Sequence, residues 1–468
     1  MKPTNSQKLT LAPGESTETD PERQWPKLDP AALPGIVGEF VTKATRQSEA
    51  DPAAVLFTFL IAAAVEFGSY PHLFVGDSRH YARMNAVIVG ESSKARKGTS
   101  AGPVKRVFAA LEGRAQHSPG PLSSGEGLIF AVRDEVKEWK AGKQSGDTGY
   151  WVITDPGIDD KRLFVLDEEF ANALNATKRE GNTLSGIIRG LYDDGNAAPL
   201  TKTTRTKTTG AHVGILTHIT LSELSSLLSQ TEQLNGFGNR FLWVCARRQG
   251  VIAFPAPLTD GFITRMRDLI ADCRAESMSV GRMEWGPGAR DLYETEYPDL
   301  SRAHGGVAGC MVGRGEAMTV RLAMIYALLA KHKALMVEDL QAALAAWQYC
   351  RDSALFLFGD TPADRRVTKI IAALANGPLT RKEITANVFS GHITKEDLDR
   401  LISQMESDKL ITVEKIPTGG KSATRISKYS CEQSEQCELS PPHFSLSSLS
   451  SLSSQDIAEN YDLPDFDF

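Results

Sequence analysis

Four apolar residues, Ala86-Val-Ile-Val89, run into Gly90 and a polar stretch that closes on Lys97-Gly98-Thr99-Ser100. This grammar predicts a buried strand, a loop and then a helix. Such a loop can cradle a triphosphate. Backbone N–H groups turn inward, a lysine ammonium meets the outer phosphates, and a hydroxyl holds Mg²⁺. The usual spacing is G-x-x-x-x-G-K-[ST]. Here the lysine precedes the second glycine and the loop from Gly90 is one residue longer. Taken alone, a basic surface turn would read the same way.

A second motif lies downstream. Arg162-Leu-Phe-Val-Leu-Asp167-Glu168-Glu169-Phe170 reads as a buried parallel strand with carboxylates at its C-terminal end. In nucleotide hydrolases the first acid of such a pair holds Mg²⁺ and the next polarises the attacking water. Asp167 and Glu168 are assigned to those roles; a solvated acidic turn is the plain alternative. Loop and acids in this order predict an α/β nucleotide hydrolase core over residues 76–260.

Other polar residues sit at strand ends. Val213-Gly-Ile-Leu-Thr-His-Ile-Thr220 is a further buried-type strand, and Thr217 or His218 is expected beside the acids, sensing a γ-phosphate. Arg240, in Gly236-Phe-Gly-Asn-Arg-Phe-Leu-Trp243, opens another apolar strand. It is read either as a finger reaching a neighbouring subunit's nucleotide or as a structural ion pair. Arg314 and Arg321 share one helix face, where either would approach a nucleotide or cap core acids.

Composition narrows the class. The 468 residues suffice for two or three domains, and 41% hydrophobic with 24% charged residues allows a sizeable core. A net charge of −6 argues against nucleic-acid binding through bulk charge. The six cysteines form no C-x-x-C pair, so neither a disulfide framework nor a zinc site is expected, and a reducing cytoplasm fits. The most apolar run, Ala53 to Val65, is too short to span a bilayer, and the polar N-terminus carries no signal peptide.

Along the chain, residues 1–30 are read as disordered and 31–75 as a helical lead-in. Asp51-Pro52 starts a helix apolar nearly all round, which should be buried. Leu200 to Thr209 carries Lys202, Arg205 and Lys207 at near-alternate positions, either a basic hairpin tracking nucleic acid or an exposed soluble one. Residues 261–360 are expected to form a helical lid. From 361 to 430, three helices and a hairpin read as a winged helix. Its third helix is acidic at Glu396, Asp397 and Asp399, so its wing, with Lys421, Arg425 and Lys428, is the better DNA contact; protein interaction is the alternative. Residues 431–468 form a Ser/Leu-rich, low-complexity tail with an acidic-aromatic tip, for docking or simply for solubility.

Together these motifs resemble an uncharacterised ATPase/helicase-like family of phage, plasmid and integrated-element primase-helicase proteins. The resemblance covers roughly residues 26 to 429. It is carried by Gly90 with Arg96-Lys97-Gly98-Thr99-Ser100, Ser123-Ser-Gly-Glu-Gly-Leu128, Phe164-Val-Leu-Asp-Glu-Glu169, Gly236 to Trp243, and Arg321-Leu-Ala-Met-Ile-Tyr-Ala-Leu-Leu329. It implies a RecA-like/AAA+ P-loop core, ATP and Mg²⁺ as cofactors, and a helicase role on DNA, single-stranded in particular. It also implies a homo-oligomer such as a hexameric ring. Lys97 with Thr99 or Ser100 would hold phosphate and Mg²⁺, Asp167 and Glu168 would form the acidic site, His218 the sensor and Arg240 the finger. Many such relatives carry a primase in front. Here roughly the first thirty residues, all that stand in front of the resemblance, are polar, so any primase is expected as a separate protein.

Overall fold

The computed structural model describes residues 24–91, 97–141, 148–199, 206–228, 236–359, 365–374, 377–407, 410–416 and 423–428. The chain divides into two compact units, with the boundary between Lys369 and Ile370.

The first unit is built on one buried helix and one parallel sheet. After α1 (Gly35–Thr45) comes α2 (Pro52–Phe67). Asp51 caps α2 by accepting from the Ala53 amide at 2.9 Å, and Pro52 takes the first helical position, where no N–H is needed. Every residue of α2 after Pro52 is buried, including Phe57, Phe59, Leu60 and Ile61, which explains its lack of a polar face. Gly68 ends it at φ +68°, a backbone geometry that side chains resist.

The remaining elements of this unit follow in order. They are β1 (His72–Val75), β2 (Ser78–Tyr81), β3 (Asn85–Gly90), α3 (Lys97–Ala109), β4 (Gln116–Ser118), α4 (Gly125–Ala131), β5 (Val136–Lys140), β6 (Tyr150–Asp155), β7 (Arg162–Asp167), α5 (Phe170–Thr177), α6 (Leu184–Asp193), β8 (His212–Thr220), α7 (Leu221–Leu227) and β9 (Leu242–Ala246). The central sheet has the order β4-β7-β8-β3-β9, with every pairing parallel. All six residues of β3 are buried, as a central strand covered on both faces requires. Asn85 ties the strand starts together. Its Oδ1 accepts from Ile215 N at 3.0 Å, and its Nδ2 donates to Arg240 O at 3.2 Å.

The strand connections sort the helices. The crossover from β3 to β4 runs one way across the sheet; those from β7 to β8 and from β8 to β9 run the other. Right-handed crossovers then put α3 on one face and α5 to α7 on the opposite one. Helix α2 packs beside α3, and a Cβ built on Gly214 of β8 would lie 2.5 Å from Val65 of α2. A side chain at that position has no room.

Helices α8 (Asp260–Ser277), α9 (Ala289–Leu300), α10 (Gly306–Val312), α11 (Gly315–Leu329) and α12 (Val337–Phe358) complete the unit. The expected helical lid is therefore not a separate subdomain. Its helices pack on α2, α3 and β9, and its strands β10 (Arg282–Trp285) and β11 (Ala334–Leu335) extend the β1–β2 hairpin into a second sheet, β11-β10-β1-β2. The ribbon β5–β6 is antiparallel and pairs with neither sheet.

Helix α13 (Arg365–Leu374) spans the division between units. The second unit adds β12 (Leu379–Thr380), a helical stretch from Arg381 to Val388, α15 (Lys395–Ser407; α14 is Arg381–Glu383), β13 (Ile411–Ile416) and β14 (Ala423–Lys428). Its sheet is antiparallel, in the order β12-β14-β13. The helices-then-hairpin order matches the sequence expectation. The acid at Asp399 is ion-paired with Arg381. Among the described residues, no helix is long and apolar enough to cross a membrane.

Candidate functional site

In an open parallel sheet, ligands collect at the C-terminal ends of the strands, where neighbouring connections leave for opposite faces. Here that place is between β3 and β8. Gly90 ends β3 in register with Thr220 of β8. Helix α3 begins at Lys97, so the amides of its first turn have no intrahelical acceptor and form the positive end of the helix dipole. Lys97 is half-buried; desolvation lowers its pKa, partly offset by the Glu223 carboxylate. Thr99 is half-buried. Ser100 is buried, and its Oγ has no hydrogen-bond partner among the described residues. Arg96 lies outside the described residues.

The two acids part company at the end of β7. Phe164 is in register with Gly214, so Phe164, Leu166 and then Glu168 turn toward the α2–α3 face. Asp167 is in register with Thr217 and turns to the other face. Glu168 stands over the start of α3, its Oε2 3.8 Å from where a Cβ on Gly98 would be. Lys105 Nζ holds its Oε1 at 2.7 Å, and this bond keeps the Glu168 pKa below the usual glutamate value, with His218 adding to the effect. Asp167 is buried and bonded elsewhere. Its Oδ2 accepts from Leu122 N at 2.9 Å and its Oδ1 from Glu169 N at 3.0 Å. Asp167 and Glu168 nevertheless border one cavity beside α3. Consecutive residues of a strand face opposite ways, and Asp167 pins the Leu122 turn.

His218 follows the same alternation and lies on the Glu168 face. It is 2% exposed, and burial lowers its pKa to about 4. The carboxylate of Glu168 raises it, while Lys97 and Lys105 lower it. The ring is therefore neutral near pH 7, and its Nε2 has no hydrogen-bond partner among the described residues. Thr217 Oγ1 is a third buried polar atom without one. Such atoms are rare in folded proteins and call for a partner.

The chain matches no family model and no curated protein.

Lys97, Gly98, Ser100, Glu168 and His218 thus gather at one place, and Lys105 joins them unannounced by the motifs. Its position was available in the sequence, since Lys105 lies eight residues after Lys97 and shares its helix face. A cavity of about 620 Å³ opens beside Glu168. It runs between α3 and the β4–β7 edge, floored by Ala62, Val104, Phe108, Phe164 and Leu166, with Lys105, Arg114 and His117 at its rim.

Fitting a nucleotide to these residues gives a mixed result. The α3 amides, Lys97 and the unpartnered Ser100 Oγ suit phosphate oxygens and the hydroxyl ligand of a Mg²⁺ ion. Among the described residues no three His, Cys, Asp or Glu side chains gather to hold a metal. A phosphate-bridging Mg²⁺ takes only one or two protein ligands.

Arg240 and Arg321 lie at the opposite end of the strands from this site. Arg240 precedes β9, level with the start of β3, and is 8% exposed. Its guanidinium donates to Asp193 Oδ2 at 2.5 Å and Oδ1 at 3.2 Å, and to Gly236 O at 2.5 Å. Arg314 holds Asp193 Oδ1 at 2.9 Å. Arg321 stacks over Tyr192 at 4.2 Å and donates to Tyr192 O and Arg83 O. Arg240 makes the structural ion pair that was its second reading, with half-buried Asp193, and Arg321 is held by backbone carbonyls of its own chain. Of the expected nucleic-acid contacts, Lys207 and Arg425 are exposed, while Lys202, Arg205 and Lys421 lie outside the described residues.

Proposed function

We propose that this chain is an ATP-dependent, DNA helicase-like motor of mobile-element replication, with a RecA-like/AAA+ core, a C-terminal winged helix and a ring-forming habit in the cytoplasm. Single-stranded DNA and a separate primase are its partners in this reading. The observation that carries it is the meeting of Lys97, Ser100, Glu168 and His218 at the strand-order switch point, with Ser100 Oγ and His218 Nε2 buried and unpartnered among the described residues.

Each residue then has a task. The α3 amides and Lys97 neutralise the outer phosphates. Ser100, with Thr99 beside it, offers the hydroxyl. A Mg²⁺ ion would be held by the Thr99 or Ser100 hydroxyl and would supply charge neutralisation to the phosphates. Glu168 accepts the proton of the attacking water once Lys105 yields it, and neutral His218 reaches the γ-phosphate by a hydrogen bond rather than by charge. Steady-state ATP hydrolysis with and without single-stranded DNA tests this. Lys97→Ala should abolish turnover. Glu168→Gln should bind ATP yet hydrolyse it on the order of 10²–10⁴-fold more slowly. Normal turnover in Glu168→Gln would sink the assignment.

A second reading has its own support. Asp167 is committed to two amides and Glu168 to Lys105, an arrangement suited to holding nucleotide without rapid hydrolysis. The chain would then be a replication initiation or loading factor acting through its winged helix. DNA affinity that survives Lys97→Ala, and is lost on deleting residues 363–468, would favour that reading over the motor.

A further inference from the structure

The stretch from Arg247 to Leu258 leaves β9 at the strand ends where the candidate site lies and runs on to α8. Its last eight residues, Val251-Ile-Ala-Phe-Pro-Ala-Pro-Leu258, carry no charged or hydrogen-bonding side chain. Phe254 is 94% exposed and Val251 82%. The loop is held firmly all the same. Arg247 N and Gln249 Nε2 donate to Asp51 Oδ2 at 3.0 and 3.1 Å. Gln249 N reaches Glu49 O at 3.0 Å, Ile252 N reaches Glu49 Oε1 at 2.8 Å, and Ala256 N reaches Gln47 O at 3.1 Å. Arg106 of α3 donates to Leu258 O at 3.0 Å. Pro255 and Pro257 fix their own φ angles beside the exposed ring. An apolar tip on a braced frame loses little conformational freedom when a surface covers it.

A matching recess lies on the other flank of α3. The cavity of about 620 Å³ beside Glu168 is floored by apolar side chains, with room for a phenyl ring and its apolar neighbours. Its charges disfavour an anion. Lys105 is bonded to Glu168, and burial keeps His117 neutral near pH 7 by lowering its pKa to about 4. Arg114 is then outnumbered by Asp167 and Glu169, so the rim is acidic on balance. Exposed Glu169 has no ion pair among the described residues. Neither has Arg247 at the base of the loop, which lies over the Trp25 ring at 5.2 Å. Loop and cavity cannot meet within one chain. Strands β9 and β4 are opposite edges of the central sheet, about 19 Å apart across its strand spacings. Between them α3 turns Arg106 to the loop and Lys105 to the cavity. A knob and a recess on different parts of one surface make a head-to-tail contact, which closes into a ring or runs on as a filament. We infer that the loop of one copy of this chain seats Phe254 in the cavity of the next, with Arg247 facing Glu169. Each copy then completes the wall beside its neighbour's Glu168. The inference rests on the homo-oligomer part of the reading above and not on hydrolysis.

Sedimentation velocity of the full chain without nucleotide, over a concentration series, tests the contact. The wild type should self-associate. Phe254→Ala should weaken association by about thirtyfold or more, as the loss of an aromatic anchor does. Phe254→Asp changes a solvent-exposed side chain, so it should keep the wild-type melting temperature and sediment as a monomer. Ala109→Trp, which fills the cavity from its exposed margin on α3, should also be monomeric. An equimolar mixture of Phe254→Asp and Ala109→Trp should form dimers and nothing larger, because each pair retains one intact loop and one intact cavity. A wild type that stays monomeric throughout the series overturns the contact, and so does assembly that survives Phe254→Asp. A mixture that stays monomeric overturns it too, since loop and cavity then do not face each other. Intact assembly in Ala109→Trp with nucleotide binding lost gives the cavity to the nucleotide instead. Assembly without ATP turnover removes the motor and leaves the contact standing. Turnover by a wild-type monomer does the reverse.

Discussion

His218 joins the site's chemistry to the stability of the fold. Its folded pKa of about 4 lies below the ordinary value of 6.5, because burial disfavours the charged ring. His80, His117 and His212 are shifted the same way by burial. Between pH 6.5 and 4 the unfolded chain binds protons that the folded chain refuses. Stability from these rings is therefore complete above pH 6.5 and lost as pH falls toward 4. For His218 the slope reaches about 1.4 kcal/mol per pH unit. Urea denaturation at stepped pH should show this fall, and His218→Asn should flatten it by roughly one proton. Arg240 belongs to this scale too. Removing its guanidinium leaves Asp193 with only Arg314, so Arg240→Ala should cost about 1–3 kcal/mol of unfolding free energy. A variant with unchanged denaturation and abolished turnover would return Arg240 to a neighbour's nucleotide. The sequence could place Lys97 and Glu168 because each ends a motif of local apolar residues. It could not reveal the Asp193 contacts, which join residues 47 and 121 positions apart.

Elements were legible where burial leaves a pattern. Residues 85–90 and 162–167 read as continuous apolar strands because a parallel strand is covered on both faces. Helix α2 read as buried because its apolar residues leave no polar stripe. Strand β4 escaped notice: its three residues Gln116-His-Ser118 sit at the sheet edge and are only half-buried, so they carry no apolar signature. The bonds that hold Asp167, to the amides of Leu122 and Glu169, carry no sequence signature. The contact between α2 and the sheet is the most exacting feature at this scale. Phe40, Phe59 and Phe108 join α1, α2 and α3, with ring centroids 4.6 Å and 5.8 Å apart along the series. Gly214→Val would drive a branched side chain into Val65 and Ile61 of α2. It should destabilise the protein by about 1–3 kcal/mol or more, seen as a lower melting temperature, whereas the same change at open Gly210 costs only backbone strain.

At the scale of the whole molecule, the sequence anticipated a change of character near residue 361, and the units divide a few residues later, inside α13. It missed that the presumed lid helices share the first unit's core, because amphipathic helices do not announce which neighbour they cover. The order of the central sheet has one further consequence. Because β8 lies between β3 and β7, the sheet acts as a gauge of fixed width. Neighbouring strands lie about 4.8 Å apart, so the ends of β3 and β7 are set roughly 10 Å apart. The Glu168 side chain crosses that gap, its Oε2 3.8 Å from where a Cβ on Gly98 would be, and in the proposed motor it acts on an attacking water rather than on phosphorus. Turnover in ¹⁸O-labelled water should therefore place one solvent oxygen in each released phosphate. Label recovered in the Glu168 carboxylate would mean that the carboxylate itself, and not water, attacks the phosphorus.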